Sequence, residues 1–500
     1  MRLFLACHSN SSVQMMIKMP SSFFLVFALS SLLVSCQKQA TERLPNVVLI
    51  VIDDLGWKDI GIYGSDFYQT PNVDALAREG VMFTNGYSAC TVCSPTRAAI
   101  MTGKYPATIR CTDWIEGWKM KNKPLKVPDW TMYMDTSEFT LARAFKGAGY
   151  QTAHIGKWHL GEDSIYWPEN QGFDINIGGW SKGSPNTKKG KFNGYFAPFG
   201  NPRLEDKPGD EYLTERLTDE AVGFIKNASS STDGKPFFLN FWTYNVHAPL
   251  QAKEEKVAKY DSLQDTSFQQ QNPIYAAMVE HMDEAVGRII QTLKEEGLYD
   301  NTIIVFTSDN GGLIGRGKNK VTNNSPLRSG KGDLYEGGVR IPLIIRDPFS
   351  GAYGQVSETP TISMDLYLTL AKLSGISIPE KIESQLEGID LSPVLTGHPT
   401  KERDLFWHYP HYHKEGATPY SAIRSGDWKL VYYYETESSA LFNLKNDIGE
   451  TEDVSDANED VKSLLISKLE KWKDDINAQS PVPNPDYKEE LESVSNSDEP

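Results

Sequence analysis

Asn46-Val47-Val48-Leu49-Ile50-Val51-Ile52 runs without a break into Asp53-Asp54-Leu55-Gly56. An uninterrupted apolar run of this length suits a strand covered on both faces, the setting of a parallel sheet. Two carboxylates at its C-terminal end suit a ligand site, because open α/β sheets bind outside the carboxyl ends of their strands. Taken alone, Asp53-Asp54-Leu55-Gly56 also reads as an ordinary polar turn. The layout recurs, however: Thr302-Ile303-Ile304-Val305-Phe306-Thr307-Ser308 leads directly into Asp309-Asn310-Gly311-Gly312. Further strands are expected at Tyr150–Ile155, Pro236–Phe241 and Leu343–Ile345. Helices are expected from Thr70, over Thr140–Ala148, Ile274–Glu296 and Met364–Ser374. Strands alternating with helices predict an α/β fold with a large, mainly parallel sheet flanked by helices.

The pattern changes near Pro393 to Lys401. Beyond it, Trp428–Tyr434 and Ala440–Leu444 alternate, and Val461–Ile476 has helical spacing, so a smaller C-terminal antiparallel sheet packed with a helix is expected. The organisation expected is a catalytic domain over 45–395, a C-terminal subdomain over 396–480 and a disordered acidic, Ser/Pro-rich tail over 481–500. The stretch Gly178–Asp210, rich in Gly, Pro, Asn and Lys, reads as a long surface excursion of the kind that carries function. The chain of 500 residues is ordinary globular material, 39% hydrophobic and 23% charged. A formal net charge of −16 argues against nucleic acid as a partner. An anionic substrate then requires a basic pocket inside an acidic shell.

The N-terminus reads as an address. Lys18 precedes the short apolar run from Phe23 to Val34, too short for a membrane span and right for a signal segment. Leu33-Val34-Ser35-Cys36 resembles a bacterial lipobox, with a plain signal peptide as the alternative. Residues 1–36 are therefore read as signal peptide and lipobox, with Cys36 as a lipid anchor to the membrane, and 37–44 as a linker. The expected location is that of an exported bacterial lipoprotein, periplasmic or at the cell surface. Cys90, Cys93 and Cys111 remain in the folded part, so the chain is no disulfide scaffold.

The second decisive stretch is Cys90-Thr91-Val92-Cys93-Ser94-Pro95-Thr96-Arg97-Ala98-Ala99-Ile100-Met101-Thr102-Gly103. Ser94 is expected to cap a helix, with Pro95 at its first position and Thr102-Gly103 at its end. Cys93 then sits at a helix mouth, where the backbone favours a reactive, negatively charged group, and Arg97 lies about one turn further on. The Cys90/Cys93 pair has other readings: a buried inert thiol, a redox pair, or half of a zinc site whose other half the sequence lacks. Asp53, Asp54, Asp309 and Asn310 supply hard oxygen donors without imidazole or thiolate, which select Ca²⁺ or Mg²⁺ over zinc. Arg97, Lys157, His159, His247 and Lys331 are the cations and imidazoles expected around the same place, a pocket suited to a tetrahedral oxyanion.

Cys93-Ser94-Pro95-Thr96-Arg97 with Ala98 to Gly103 behind it, and Gly156-Lys157-Trp158-His159-Leu160-Gly161, resemble the two signatures of the type I, formylglycine-dependent sulfatases of the alkaline phosphatase superfamily. Thr96 departs from the Ser or Ala more often found there. The resemblance extends from Asn46 to about Glu450. It implies that Cys93 is oxidised to formylglycine before folding, by a formylglycine-generating maturation enzyme, and that the aldehyde hydrate is the nucleophile. It also implies that Asp53, Asp54, Asp309, Asn310 and the modified Cys93 bind Ca²⁺, in preference to Mg²⁺. Lys157 and Lys331 would take up sulfate charge, Arg97 would hold the hydrate, His247 would protonate the leaving alcohol and His159 would accept a proton from the second hydroxyl. Cys90 receives no role.

For the substrate, a sulfated polysaccharide or its oligosaccharides is expected. Trp407-His408-Tyr409-Pro410-His411-Tyr412-His413 is dense in aromatics and imidazoles, and reads either as a packed domain junction or, with Trp114 and Trp118, as a sugar cleft. His408, His411 and Arg340 are the candidate substrate contacts. Two alternatives stay open at this point: a phosphodiesterase or phosphonate hydrolase of the same superfamily, and a non-catalytic glycan-binding surface lipoprotein. For the anchor, Cys36→Ala is expected to move the protein from the membrane fraction to the soluble one; unchanged fractionation refutes lipidation there.

Overall fold

The computed structural model describes residues 44–488, apart from 119, 186–193, 208, 316, 318 and 319. The expected signal peptide and lipobox, almost all of the linker, and the last dozen residues of the tail lie outside the described residues. No described helix is long and apolar enough to cross a membrane.

Among the described residues, eight strands form one sheet in the order Gln355–Ser357, Val81–Phe83, Leu343–Arg346, Thr302–Ser308, Asn46–Ile52, Phe237–Trp242, Gln151–Gly156 and Ile175–Ile177. Five neighbouring strands, from Thr302–Ser308 to Ile175–Ile177, are all parallel. Leu343–Arg346 runs antiparallel to both its neighbours. The sheet is thus mainly parallel, as expected, with a mixed edge that apolar patterning cannot distinguish from a parallel one.

Strand geometry sends alternate side chains to opposite faces, and the central strand shows it. Val48, Ile50 and Ile52 enter one core with Met278, Met282, Val286 and Ile289 of the helix Pro273–Glu295. Val47, Leu49 and Val51 enter a second core on the other face, with Ala98 and Met101, and with Leu141, Phe145, Leu366 and Leu370 from two further helices. The cysteine helix, Cys93–Thr102, belongs to this second layer, and all ten of its residues are buried. It starts one residue before the expected cap. Val92 is its N-cap, Cys93 its first residue, and Ser94 lies inside the first turn with its hydroxyl turned away from the helix end. Gly103 ends it in the left-handed conformation, φ 69°, closing a bond to the Ala99 carbonyl at 2.8 Å. A Cβ there would lie 2.8 Å from Leu386 and 3.2 Å from Tyr367, so only glycine serves.

The C-terminal sheet is antiparallel throughout: Asp404–Tyr409, Tyr420–Ser425, Trp428–Tyr433 and Ser438–Asn443. The helix Glu459–Asp475 packs on it through Leu465, Leu469 and Trp472, whose ring stacks on Phe406 at 4.7 Å. The same core takes in Tyr87, Ala89, Cys90 and Val92, the approach to the cysteine helix. The Trp407 indole donates to the Ser88 carbonyl at 2.8 Å, and Lys429 is buried between Glu336 and Glu450 at 2.8 and 3.0 Å. Residues from Leu44 on therefore make one compact unit. The expected disordered tail needs a correction: residues 481–488 are ordered, and Val482–Pro483 pairs with Leu125–Lys126. Its polar composition hid backbone bonds that the 122–126 loop supplies.

Lys429→Met leaves two buried carboxylates facing each other without a cation. Such a change is expected to cost about 3–5 kcal/mol of unfolding free energy, measured by chemical denaturation; a loss below about 1 kcal/mol refutes this account of the junction.

Candidate active site

Four adjacent parallel strands stop at the same level. Ile52 pairs with Ser308, and Val51 pairs with Trp242, which in turn pairs with Gly156. Asp53-Asp54, Asp309-Asn310 and Lys157 are the next residues along, so one sheet edge presents all five. Gly156 allows the turn that follows: its φ is 113°, and any Cβ would run into the Trp242 carbonyl.

Asp53, wholly buried, receives both oxygens' worth of bonds from Lys157, at 2.8 and 2.7 Å. Arg97 donates from Nε to Asp309 Oδ2 at 2.8 Å, places a terminal nitrogen 2.8 Å from the same oxygen, and bonds the Lys157 carbonyl at 3.0 Å. It thus braces the carboxylates from below, with its guanidinium 5.1 Å from the Trp242 ring centre. Asp54 sits at φ 62°, a conformation that costs a non-glycine residue about 1–2 kcal/mol. Its N–H is held by Asp309 Oδ1 at 3.1 Å, and its carboxylate by Lys331 at 2.6 and 2.8 Å and by the Asn310 amide at 2.9 Å.

Burial, above all, pushes the Asp53 carboxyl well above the usual range against Lys157, with Asp309 and Asp54 adding repulsion. Burial also opposes ionisation of Asp54 and Asp309, but Lys331 and His247 around the first, and Arg97 and Lys157 around the second, hold both below the usual range. Lys331 is itself raised, because Asp54 outweighs its burial.

Cys93 Sγ lies 3.3 Å from His159 Nδ1. His159 Nε2 is engaged by the Ile115 carbonyl, so that ring nitrogen carries the proton and Nδ1 is left to accept from residue 93. Burial first, then Lys157, keeps this imidazole neutral. The chain at Lys157 to His159 is not an extended strand. His159 adopts φ 63°, and its backbone is fastened to Trp180 and to the Ser94 hydroxyl at 3.0 and 2.9 Å. His247 Nδ1 donates to the Ala248 carbonyl at 2.6 Å, leaving Nε2 3.7 Å from Asp54. Burial and Lys331 push its pKa down to about 3.

A metal fits here. Asp53, Cys93 and Asp309 offer ligand atoms within 4.8 Å of one another. Asn310 Oδ1 is buried with no hydrogen-bond donor, an orphaned hard acceptor beside Asp54. Oxygen donors of this kind suit Ca²⁺ or Mg²⁺, and Asp53, Asp54, Asp309, Asn310 and residue 93 are the groups that would hold the ion.

The structure thus brings together Asp53, Asp54, Cys93, Arg97, Lys157, His159, His247, Asp309, Asn310 and Lys331. Three other candidates lie elsewhere. His408 has both ring nitrogens engaged, by Ser421 at 2.7 Å and by the Gln479 carbonyl at 2.9 Å, so it is a packing residue of the C-terminal sheet. Arg340 is committed to Thr84, Asn85 and Glu336 and lines a separate cavity of about 310 Å³. His411 bonds Thr112 at 2.8 Å and lines a cavity of about 600 Å³, as do Trp118 and Tyr412. Trp407 and Tyr409 of the aromatic run thus belong to the junction and His411 and Tyr412 to the cavity wall, while Trp114 packs on the junction core. Sequence reasoning missed Ser94 and Ile115, which set the position and tautomer of His159. Ser94 looked like a cap, and nothing marks a carbonyl that acts from 44 residues away.

Three comparisons bear on this geometry. The family model described as Sulfatase matches residues 45–376, and that described as N-sulphoglucosamine sulphohydrolase, C-terminal, matches 330–475. The chain is 32% identical to a protein named Sulfatase from Formosa agariphila, over 89% of this chain and 91% of that one. It is 32% identical to N-acetylgalactosamine-6-sulfatase of Mus musculus, over 82% and 76%. Among solved structures, that of Ps i-CgsB in complex with k-i-k-neocarrahexaose superposes with a TM-score of 0.70 at 31% identity, covering 86% of this chain and 92% of that one.

Asn310→Ala removes a neutral oxygen donor, and Asp309→Ala a charged one that also pairs with Arg97. Both are expected to lower the divalent metal content found by elemental analysis, Asp309→Ala to near zero. Full stoichiometric metal in Asp309→Ala refutes the proposed ligand set.

Proposed function

Because the chain belongs to the sulfatase family, and is on that ground a sulfuric ester hydrolase, we propose that it removes sulfate from a sulfated polysaccharide or its oligosaccharides, with Cys93 converted to formylglycine and Ca²⁺ as its metal. The observation that carries this reading is the Cys93–His159 contact at 3.3 Å, set among three buried carboxylates and three buried cations.

Formylglycine supplies a hydroxyl nucleophile and, on the same carbon, a second hydroxyl through which sulfate can be expelled; a thiol has no such exit. Ca²⁺ held by Asp53, Asp54, Asp309 and Asn310 supplies positive charge where the sulfate oxygens become more negative. The chain's own groups do the rest. Lys157 and Lys331 flank the site with ammonium groups and add to that electrostatic stabilisation. Arg97 keeps Asp309 in place and orients the first helical turn. His159 Nδ1, the ring atom not tied to Ile115, accepts the proton from residue 93. His247 Nε2, the ring atom not tied to Ala248, is placed to deliver a proton to the leaving alcohol oxygen once the ring is doubly protonated, a form that the negative charge of a bound sulfate ester favours.

The carbohydrate reading is supported by the names of the N-acetylgalactosamine-6-sulfatase relatives, by the neocarrahexaose bound to Ps i-CgsB, and by the aromatic cavity beside the site. Export as a lipoprotein rests on Leu33-Val34-Ser35-Cys36. The maturation enzyme is proposed because Cys93 to Arg97 resembles the stretch such enzymes read.

The test is hydrolysis of a sulfate and a phosphate ester of one phenol, and of defined sulfated oligosaccharides, with peptide mass spectrometry of residue 93. Protein from a host able to form formylglycine is expected to prefer sulfate and to carry an oxidised residue 93. Cys93→Ala is expected to lower sulfate hydrolysis by at least about 10³-fold, as for loss of a nucleophile. Full activity with residue 93 only as a thiol overturns the mechanism, and preference for the phosphate ester overturns the substrate class.

A further inference from the structure

The cavity of about 600 Å³ is tied to the catalytic cluster by two stretches of chain. In the first, Ile115 engages Ser94 and His159, while Asp113, Glu116 and Gly117 on either side of it line the cavity. In the second, His411 and Tyr412 line the cavity, while His413 packs on Gly332, the neighbour of Lys331. Burial and Lys331 hold the His413 imidazole neutral, and its Nε2 is buried without a partner. The cavity wall and the catalytic cluster thus share two stretches of chain, through Ile115 and through His413.

The lining is chemically specific. Trp118 leaves 46% of its surface exposed, and Trp130 stands edge-on to His411 with ring centres 5.6 Å apart. Lys123 lies 5.3 Å from the Tyr412 ring centre, and Lys126 is exposed beside it. Flat aromatic faces with polar groups around them suit a pyranose, which offers an apolar C–H face and a rim of hydroxyls. Asp113, Glu116 and Asp129 also line the cavity, so its positive charge is confined to the Lys123 and Lys126 wall, where two ammonium groups suit a sugar that carries its own sulfate.

The wall carrying both lysines is held from outside. Val482–Pro483 forms a two-stranded ladder with Leu125–Lys126. Asn484, itself part of the lining, donates to the carbonyls of Lys123 and Pro124, each at 2.8 Å. Asn122 and Lys488 exchange two bonds at 2.9 Å. On the inner side, the Leu125 N–H donates to the Tyr412 hydroxyl at 3.1 Å.

We infer that this cavity binds the sugar residues next to the one being desulfated, and that the C-terminal strap 482–488 positions its lysine-bearing wall; the inference rests on the sulfatase reading above. The enzyme is then built for oligomers, and its C-terminus sets that preference without touching the reacting atoms.

The probes are a defined sulfated hexasaccharide, its desulfated counterpart and a small aryl sulfate. Calorimetry on Cys93→Ala protein reads binding apart from catalysis. Adding Trp118→Ala to it is expected to weaken both hexasaccharides by about tenfold, the loss of one aromatic anchor. In active enzyme, Trp118→Ala and a chain ending at Ser480 are each expected to lower the ratio of kcat/KM for hexasaccharide over aryl sulfate by about tenfold. The truncation is expected to act through KM and not kcat. Lys126→Ala, at an exposed position, covers the case in which truncation lowers the melting temperature, and should weaken the sulfated hexasaccharide more than the desulfated one. Unchanged affinity in the Trp118→Ala protein, or an unchanged ratio in both active variants, overturns the inference. Failure to hydrolyse the aryl sulfate would instead strike the sulfatase reading, and the calorimetry would still decide the cavity.

Discussion

Six buried charges converge at the ends of adjacent parallel strands: Asp53, Asp54 and Asp309 against Arg97, Lys157 and Lys331. Any one of them left alone in this setting would cost several kcal/mol. Three carboxylates and three cations pair. The carboxylates and Lys157 follow strand ends, Arg97 comes from the cysteine helix and Lys331 from the loop before Glu336, so register and packing together put each charge within reach of an opposite one. That pairing also explains how an acidic chain can host an anion. A divalent cation held among the carboxylates, as proposed above, would make the site doubly positive, and a bound sulfate ester with the negative charge that develops on its leaving oxygen would restore the balance. The charge needed for binding is local, and the net charge of −16 has no bearing on it.

The parts of this arrangement that were legible in the sequence are those in which a residue's role is set by its neighbours in the chain. Apolar runs ending in Asp53-Asp54 and Asp309-Asn310 show where two strands stop and what stands at their ends. Parallel pairing then needs only a shared level, and the pairing of Ile52 with Ser308 provides it. Lys157 was legible for a different reason: it stands in Gly156-Lys157-Trp158-His159-Leu160-Gly161, which resembles a family signature, whereas the turn that Gly156 permits before it was not legible.

What stayed hidden depends on contacts distant in sequence. His408 and Arg340 carry the right chemistry for a substrate contact, but Ser421, Gln479, Thr84 and Asn85 occupy their polar atoms. No local pattern reveals that occupation. Ser94 has the composition of a helix cap, yet the helix begins at Cys93, because Ser94 is needed to hold the backbones of His159 and Ile115. The tail after Ser480 is polar enough to read as disorder, and its order comes from an edge that the 122–126 loop offers it. In each case a hydrogen-bond partner, and not a propensity, decides the outcome.

The cysteine helix adds a constraint in time. All ten of its residues are buried between the main sheet and the core that the C-terminal sheet completes, and Cys93 is 3% exposed. Arg97, four residues on, is wholly enclosed by Asp53, Asp309 and the Trp242 ring. No enzyme could grip Cys93 to Arg97 in this state without first undoing the charge cluster and lifting the C-terminal sheet away, since Trp407 fastens that sheet to Ser88 just upstream. Any enzymatic change to Cys93 must therefore act on the chain before the last strands dock. The sheet that supplies those strands lies beyond residue 400, so a chain emerging in order exposes the cysteine stretch long before its cover exists.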